Sequence, residues 1–203
     1  MADPLIGFSN YLPDFVTRFL GSATTSTPPS AEAPPVLKPE AQAELQKIAS
    51  NPENLQKLGV NSEGRLVIPG EQRKQEAWGT MCKSMQKLWG QLEKGPDKSA
   101  VANPANIQKS IQFLKTQEFA LLPQDLQKEF LSRVTLPGSD QILTGMNAMT
   151  SSERVQLAIK TQTPVYARKL LAEGKAHEAS RQFEKAILFN PENPNLHSKQ
   201  PLR

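Results

Sequence analysis

The positions of the prolines set the strongest limit on what this chain can form. Proline has no backbone N–H and its ring clashes with the preceding turn, so it is accepted in the first turn of a helix and disfavoured in the interior. Asn51-Pro52, Asn103-Pro104 and Thr163-Pro164 each place a capping side chain directly before a proline, which is typical of a helix start. The sequence therefore predicts a series of short helices that begin at these pairs.

Amphipathic patterns fill most of the chain between about residues 40 and 190. Residues 71–93 give the clearest one, because large apolar side chains recur there at alternating spacings of three and four: Trp78, Met81, Met85, Leu88 and Leu92. The regularity lasts only about two heptads, so core packing is favoured over a coiled coil. Residues 65–70 are strand-like but too short to build a sheet alone. We expect a mainly α fold, with short amphipathic helices in an irregular bundle.

Composition divides the chain into four parts. Residues 21–38 are rich in Pro, Ser and Thr, and they bury too little apolar surface to offset the entropy of ordering. We therefore predict a disordered linker there, between an N-terminal segment of residues 1–20 and a helical body of residues 39–192. Residues 193–203 are predicted to be a flexible tail. The 17 prolines and a mean hydropathy of −0.49 agree with a chain that is packed only in part.

The C-terminal part of the body has the most informative spacing. Small and large residues alternate there as they do between two closely packed helices: Leu170, Gly174, Ala179, Phe183, Ala186 and Pro191. Glycine at position 174 permits a sharp turn, alanine at position 179 permits close helix approach, and proline at position 191 ends the second helix. On these residues, segment 163–191 resembles a single tetratricopeptide repeat, so the bundle is expected to end in a helical hairpin.

The resemblance has two departures and one functional implication. Pro164 falls inside the first helix of that family, and Ala167 stands where glycine is common. A lone repeat cannot bury its own face, so the hairpin is expected to dock on the other helices of this chain. The resemblance implies protein or peptide binding without chemistry. Its candidate contacts, which are alternatively plain solvated residues, are Tyr166, Arg168, Lys169 and Lys175.

The N-terminal segment is a second candidate contact surface. Its apolar side chains fall on one side of a helical projection, opposite Asp14 and Arg18: Leu5, Phe8, Leu12, Phe15, Val16 and Phe19. Pro13 predicts that a short helix begins there. Three interpretations stay open. The segment folds back on the body, docks as an amphipathic helix in a groove of another protein, or lies on a membrane surface, where its single basic residue gives little attraction to anionic lipid.

The reactive residues do not form a recognisable catalytic or metal-binding pattern. The chain has two histidines, His177 and His197, which lack metal-ligand spacing, and no glycine-rich phosphate loop. The one cysteine, Cys82, lies on the Trp/Met-rich helix, where a buried inert thiol is the favoured interpretation. The sequence thus predicts a protein that is not an enzyme and holds no metal or cofactor.

Charge and targeting signals narrow the partners and the compartment. The 24 Lys+Arg and 20 Asp+Glu residues give a net charge of +4, and basic side chains at positions 73, 74, 83 and 87 alternate with Glu71 and Glu76, so nucleic acid is a poor candidate. The single cysteine and the absence of a basic leader favour a reducing, cytoplasmic location. No run approaches about 18 consecutive apolar residues, so a spanning helix is not predicted.

These features predict a protein-binding adaptor or assembly subunit that attaches to a larger complex through its N-terminal amphipathic segment. Two alternatives remain. In the first, the same segment anchors the chain to a membrane surface as a peripheral membrane protein. In the second, the repeat-like hairpin and the disordered leader belong to a chaperone or secreted factor of a bacterial delivery system.

Overall fold

The computed structural model describes residues 37–92, 103–133 and 138–197, and it confirms the mainly α fold. The helices are α1 (Pro39–Ala49), α2 (Pro52–Leu58), α3 (Gly70–Gln91), α4 (Pro104–Leu114), α5 (Gln124–Arg133), α6 (Ser139–Asn147), α7 (Ser151–Ala172), α8 (Ala176–Phe189) and α9 (Pro194–His197), with a 3₁₀ turn at Glu118–Leu121. Extended pairing in these ranges is one antiparallel bridge, between Val60 and Leu66. None of the described helices is long and apolar enough to cross a membrane.

Local capping explains where several helices begin. The side-chain oxygen of Asn51 accepts a hydrogen bond from the N–H of Glu53, at 2.9 Å, and α2 follows at once. Asn103 caps α4 in the same way. At α7 the capping box is reciprocal, since the N–H of Glu153 donates to Thr150 Oγ1 at 3.2 Å and the N–H of Thr150 donates to the Glu153 carboxylate at 2.6 Å. The helix starts predicted at Asn51-Pro52 and Asn103-Pro104 are confirmed.

The prediction that Thr163-Pro164 opens a helix is wrong. Helix α7 runs continuously through Pro164, because its start is already set by the capping box at Thr150. Thr163, Pro164 and Ala167 are all buried, and this packing offsets the hydrogen bond that proline cannot donate.

Two clusters of buried side chains form the interior. The larger one draws side chains from α1 to α8, including Phe189, and it contains the whole apolar stripe of α3, so the predicted core packing of that stripe is confirmed. Aromatic rings lie at its centre, with Trp78 and Phe119 centred 5.2 and 5.9 Å from Phe130. The smaller cluster fills the C-terminal hairpin and consists of Ala167, Leu170, Ala179, Phe183, Ala186 and Leu196. Helix α7 contributes to both clusters.

The hairpin of α7 and α8 forms as expected. Gly174 has a φ of +77° between the two helices, and Ala179 and Phe183 are fully buried against the end of α7. The structure differs from the predicted tail at its start, because α9 forms one further turn of helix and places Leu196 in the hairpin cluster. The burial of this one apolar side chain accounts for the ordered turn.

Candidate functional site

A groove lies between α3 and α7. It encloses about 270 Å³, and the 3₁₀ turn contacts both helices beside it. We call this cavity the α3–α7 groove. Its lining comes from four segments that are far apart in the sequence: Leu66, Val67 and Ile68 before α3; Arg73, Glu76, Ala77 and Thr80 on α3; Glu118 and Leu122 at the 3₁₀ turn; and Gln162 and Val165 on α7.

Two large apolar side chains that remain exposed lie at this groove. Val67 is 54% exposed and Val165 is 50% exposed, and both line the cavity. With Tyr166, at 39% exposed and next along α7, they are the exposed large hydrophobic residues of the described chain. Single exposed apolar side chains are ordinary, whereas two of them on the lining of one concave surface make that surface a candidate binding site.

Backbone hydrogen bonds fix the wall that carries Val67. The Asn61 side chain accepts hydrogen bonds from the N–H groups of Glu63 and Arg65, both at 3.0 Å, and so closes the turn before the wall. The N–H of Leu66 donates to the carbonyl of Leu121 at 2.7 Å, and that of Val67 donates to the carbonyl of Gly59 at 2.9 Å. The strand-like run is therefore bonded on both sides, and it presents Val67 from an ordered backbone.

Two largely buried arginines hold the same loop to the elements behind it. Arg65 donates to the carbonyl of Leu122 at 3.0 Å and to Asn147 Oδ1 at 2.8 Å, while Arg154 donates from Nε to the carbonyl of Glu63 at 2.6 Å. Burial lowers the pKa of Arg65, the nearby charge of Arg154 lowers it further, and Glu63 opposes both. Both arginines thus bond backbone carbonyls and position the groove wall.

Gly64 permits this close approach. Its φ is +78°, and a Cβ at this position would lie 2.7 Å from the Cβ of Arg154 and 3.0 Å from the carbonyl oxygen of Ser151. Only a residue without a side chain fits against the first turn of α7 in this conformation.

Charged groups lie along the edge of the groove. Burial raises the pKa of Glu118, although the amide of Gln162 and the charge of Lys87 act in the opposite direction. On α3, Arg73 pairs with Glu76 at 2.9 Å, and both side chains are more than half exposed. The lining of the groove thus combines apolar side chains with charges of both signs.

The structure places the predicted contacts of the hairpin in two regions. Tyr166, Arg168 and Lys169 are exposed on α7. Lys175 lies beyond the turn at Gly174 and pairs with Glu173 at 3.0 Å, which raises the pKa of Lys175. None of the four lines the groove, and their role as contacts stays a prediction.

The six candidate contacts in the N-terminal segment lie outside the described residues. They are Leu5, Phe8, Leu12, Phe15, Val16 and Phe19. Their role as a contact surface stays a prediction.

The remaining reactive residues lie apart from the groove lining. Cys82 is partly buried on α3, and burial raises the pKa of its thiol, which disfavours the reactive thiolate at neutral pH. His177 is exposed on α8. Within residues 37–92, 103–133 and 138–197, no group of three or more His, Cys, Asp or Glu side chains is arranged to hold a metal ion.

Sequence reasoning missed most of the groove. Val67, Glu118, Gln162 and Val165 were not among the predicted contacts, because they come together only through the fold. One local signal was present at Val165, which stands beside Tyr166 on the solvent side of α7 and adds a second apolar residue there.

No family model matches the chain, and comparisons with curated proteins and with solved structures gave no match. The likeness of residues 163–191 to a tetratricopeptide repeat is thus a likeness of local packing pattern and of the hairpin it forms.

Proposed function

We propose that this chain is a non-enzymatic adaptor or assembly subunit whose α3–α7 groove binds an apolar segment of a protein partner. The observation that carries the proposal is the position of Val67 and Val165, both half exposed, on the lining of one cavity. A partner that covers them removes apolar surface from water, at about 25 cal/mol per Å².

The size of the groove supports a peptide as its ligand. The groove has a volume of about 270 Å³ and is open to solvent, which leaves room for a peptide main chain outside it. An apolar cavity of about 150 Å³ accommodates one benzene ring. The groove is therefore suited to about two large side chains of a peptide, whose main chain would run over its edge.

The charges support a peptide of mixed polarity. Glu118 and the pair of Arg73 and Glu76 lie at the cavity, so an amphipathic ligand can bury its apolar side and place charged side chains near groups of opposite sign. The predicted N-terminal segment would be the second attachment element of such an adaptor. Once a partner occupies the groove, the segment would be free to make this second contact.

Site-specific photocrosslinking in the native host tests the proposal. A photoreactive residue at position 165 of the full chain is expected to give a discrete adduct with another protein, and adding Val67→Asp is expected to abolish it. The matched control carries the photoreactive residue at the exposed position 46 of α1, where no such adduct is expected. Phe15 and Phe19 are themselves candidate ligands for a groove, so the measurement is repeated with Phe15→Asp and Phe19→Asp.

The proposal is wrong if position 165 gives no intermolecular adduct in either form of the chain. It is also wrong if positions 165 and 46 give the same adducts.

A further inference from the structure

We infer that residues 5–19 of this chain occupy the α3–α7 groove when no partner is bound, so that a partner must displace them. The inference rests on the proposed function of the groove and adds its regulation. Four properties support it: apolar fit, reach, effective concentration and charge.

The apolar fit concerns two aromatic residues. Phe15 and Phe19 are four positions apart, which places them about one turn apart on the same face of a helix. The groove has a volume of about 270 Å³. Because about 150 Å³ accommodates one benzene ring, the groove has room for about two aromatic rings. An amphipathic helix seated by these rings would cover Val67 and Val165, the half-exposed side chains of the lining.

The segment can reach the groove from where the described chain begins. Leu37 packs against the main core, and the following helix, α1, contacts α7, the helix that lines the groove. Residues 21–36 lie between the segment and this point. At about 3 Å per residue in an extended proline-rich chain they span on the order of 50 Å, while a domain of this size has a radius of gyration of about 15 Å.

The short tether also raises the local concentration of the segment. Tethers of about this length give effective concentrations of about 1 mM. A segment that binds with a Kd of about 0.1 mM would then occupy the groove in about nine molecules of ten. Modest affinity is enough for occupancy, and it leaves the segment displaceable by a tighter partner.

Charge is compatible with this arrangement. Asp14 and Arg18 lie on the polar side of the predicted helix, so neither charge needs to enter the groove with the two rings. Arg73 and Glu76 at the groove offer them partners of opposite sign.

A synthetic peptide of residues 4–20, labelled with a fluorophore, tests the inference on the full-length protein. It is expected to bind a chain with Phe15→Asp and Phe19→Asp, whose own segment is released, at least 10-fold more tightly than it binds the unmodified chain. Adding Val67→Asp and Val165→Asp is expected to abolish binding. The matched control adds Gln46→Asp and Gln56→Asp, at exposed positions on α1 and α2, and is expected to bind like the released chain. Circular dichroism checks that each variant stays folded.

Three results would overturn the inference. The peptide binds the unmodified and released chains equally, it binds neither, or the groove variant binds it as well as the control does. Flotation with phosphatidylcholine and phosphatidylserine vesicles adds a further outcome. If the unmodified chain floats and the chain with Phe15→Asp and Phe19→Asp does not, the segment belongs on lipid and the inference is wrong.

Failure of the inference about residues 5–19 is distinguishable from failure of the proposed function of the groove. If the photocrosslinked partner appears at position 165 but the peptide fails to bind, the groove is a partner site without an internal ligand. If the peptide binds and neither form of the chain yields a partner, the segment only completes the core and the adaptor function falls.

Discussion

The guanidinium of Arg65 donates a hydrogen bond of 3.0 Å to the backbone carbonyl of Leu122, which lies 57 positions further along the chain. Leu122 and Leu66, the neighbour of Arg65, both line the α3–α7 groove. Arg65 does not line the cavity, yet its side chain joins two of the four segments that do. The shape of the groove therefore depends on a largely buried cation behind its wall.

Arg65→Lys is expected to loosen this wall. Lysine lacks the planar fork that bonds Leu122 and Asn147 together, so at least one buried acceptor loses its partner. We expect the free energy of unfolding to fall by about 1–3 kcal/mol, measured by urea denaturation. Arg73→Lys is the control, because its ion pair with Glu76 is exposed and such pairs contribute about 0–1 kcal/mol. Equal effects of the two substitutions would contradict the role given to Arg65.

Gly64→Ala and Gly59→Ala form a matched pair at the same loop. Both glycines have a positive φ, of +78° and +77°, but a Cβ at Gly59 meets nothing within 4 Å, whereas one at Gly64 meets Arg154 at 2.7 Å. We expect Gly59→Ala to cost about 1–2 kcal/mol of stability from backbone strain alone. Gly64→Ala should cost about 1–3 kcal/mol more, from the clash. Thermal unfolding with equal losses would show that the loop moves freely away from α7.

Thr150→Ala removes the N-cap of α7. We expect a loss of about 1 kcal/mol in the free energy of unfolding, while Thr144→Ala is expected to cost less, since Thr144 bonds the carbonyl of Asp140 within a helix.

The capping box also has a testable pH dependence. The backbone N–H of Thr150 donates to the Glu153 carboxylate and lowers its pKa, with a smaller contribution from the Thr150 hydroxyl, so the stabilisation is present above the pKa of the unfolded carboxyl and is lost as pH falls through the folded one. Thr150→Ala keeps this N–H, so the substitution that removes the titration is Glu153→Gln. Unfolding curves between about pH 6 and pH 3 should show a smaller acid-induced loss in Glu153→Gln than in the unmodified chain. Parallel losses would count against the capping box.

Glu118 is expected to change the pH dependence of stability in the direction opposite to Glu153, and Glu118→Gln tests this. Burial raises the pKa of Glu118, so the folded state holds its proton more tightly than the unfolded state, and stability falls as pH rises from the unfolded pKa through the folded one. The amide that the substitution introduces has no proton to lose in this range. The variant should therefore gain stability relative to the unmodified chain at pH 7 and lose that advantage near about pH 4. A constant difference across this range would refute the assignment.

Much of the fold could be predicted from local sequence. The caps at Asn51, Asn103 and Thr150 act within three residues, and the stripe from Trp78 to Leu92 is a pattern of one helix. Such signals do not depend on the rest of the chain, so they can be recognised from the sequence alone. The helix start predicted at Thr163-Pro164 is wrong because the packing of α7 outweighs the local preference of proline for the first turn of a helix. The structure differs from the flexible tail predicted from residue 193 because the burial of Leu196 is enough to order one turn.

The groove could not be predicted in the same way. Its lining depends on contacts such as the bond between the N–H of Leu66 and the carbonyl of Leu121, and no spacing rule connects residues so far apart. In the sequence, Val67 belongs to the strand-like run of residues 65–70 and Val165 adjoins Tyr166, and nothing in their spacing connects the two valines. Only the packing of the 3₁₀ turn against both α3 and α7 makes them neighbours of one cavity.

The division of α7 between two clusters also bears on how the molecule opens. Ile159 belongs to the main cluster and Ala167 to the hairpin cluster, and Pro164 between them lacks the N–H that would bond one turn back. Phe189 of α8 also belongs to the main cluster, and Lys185 pairs with Glu44 of α1 at 3.0 Å, so the end of α8 is held there. We therefore expect the amide hydrogens around the turn at Gly174 to exchange before those of the main cluster. Val165 lies at this boundary, so a ligand in the groove would slow exchange across the hairpin without contacting most of it.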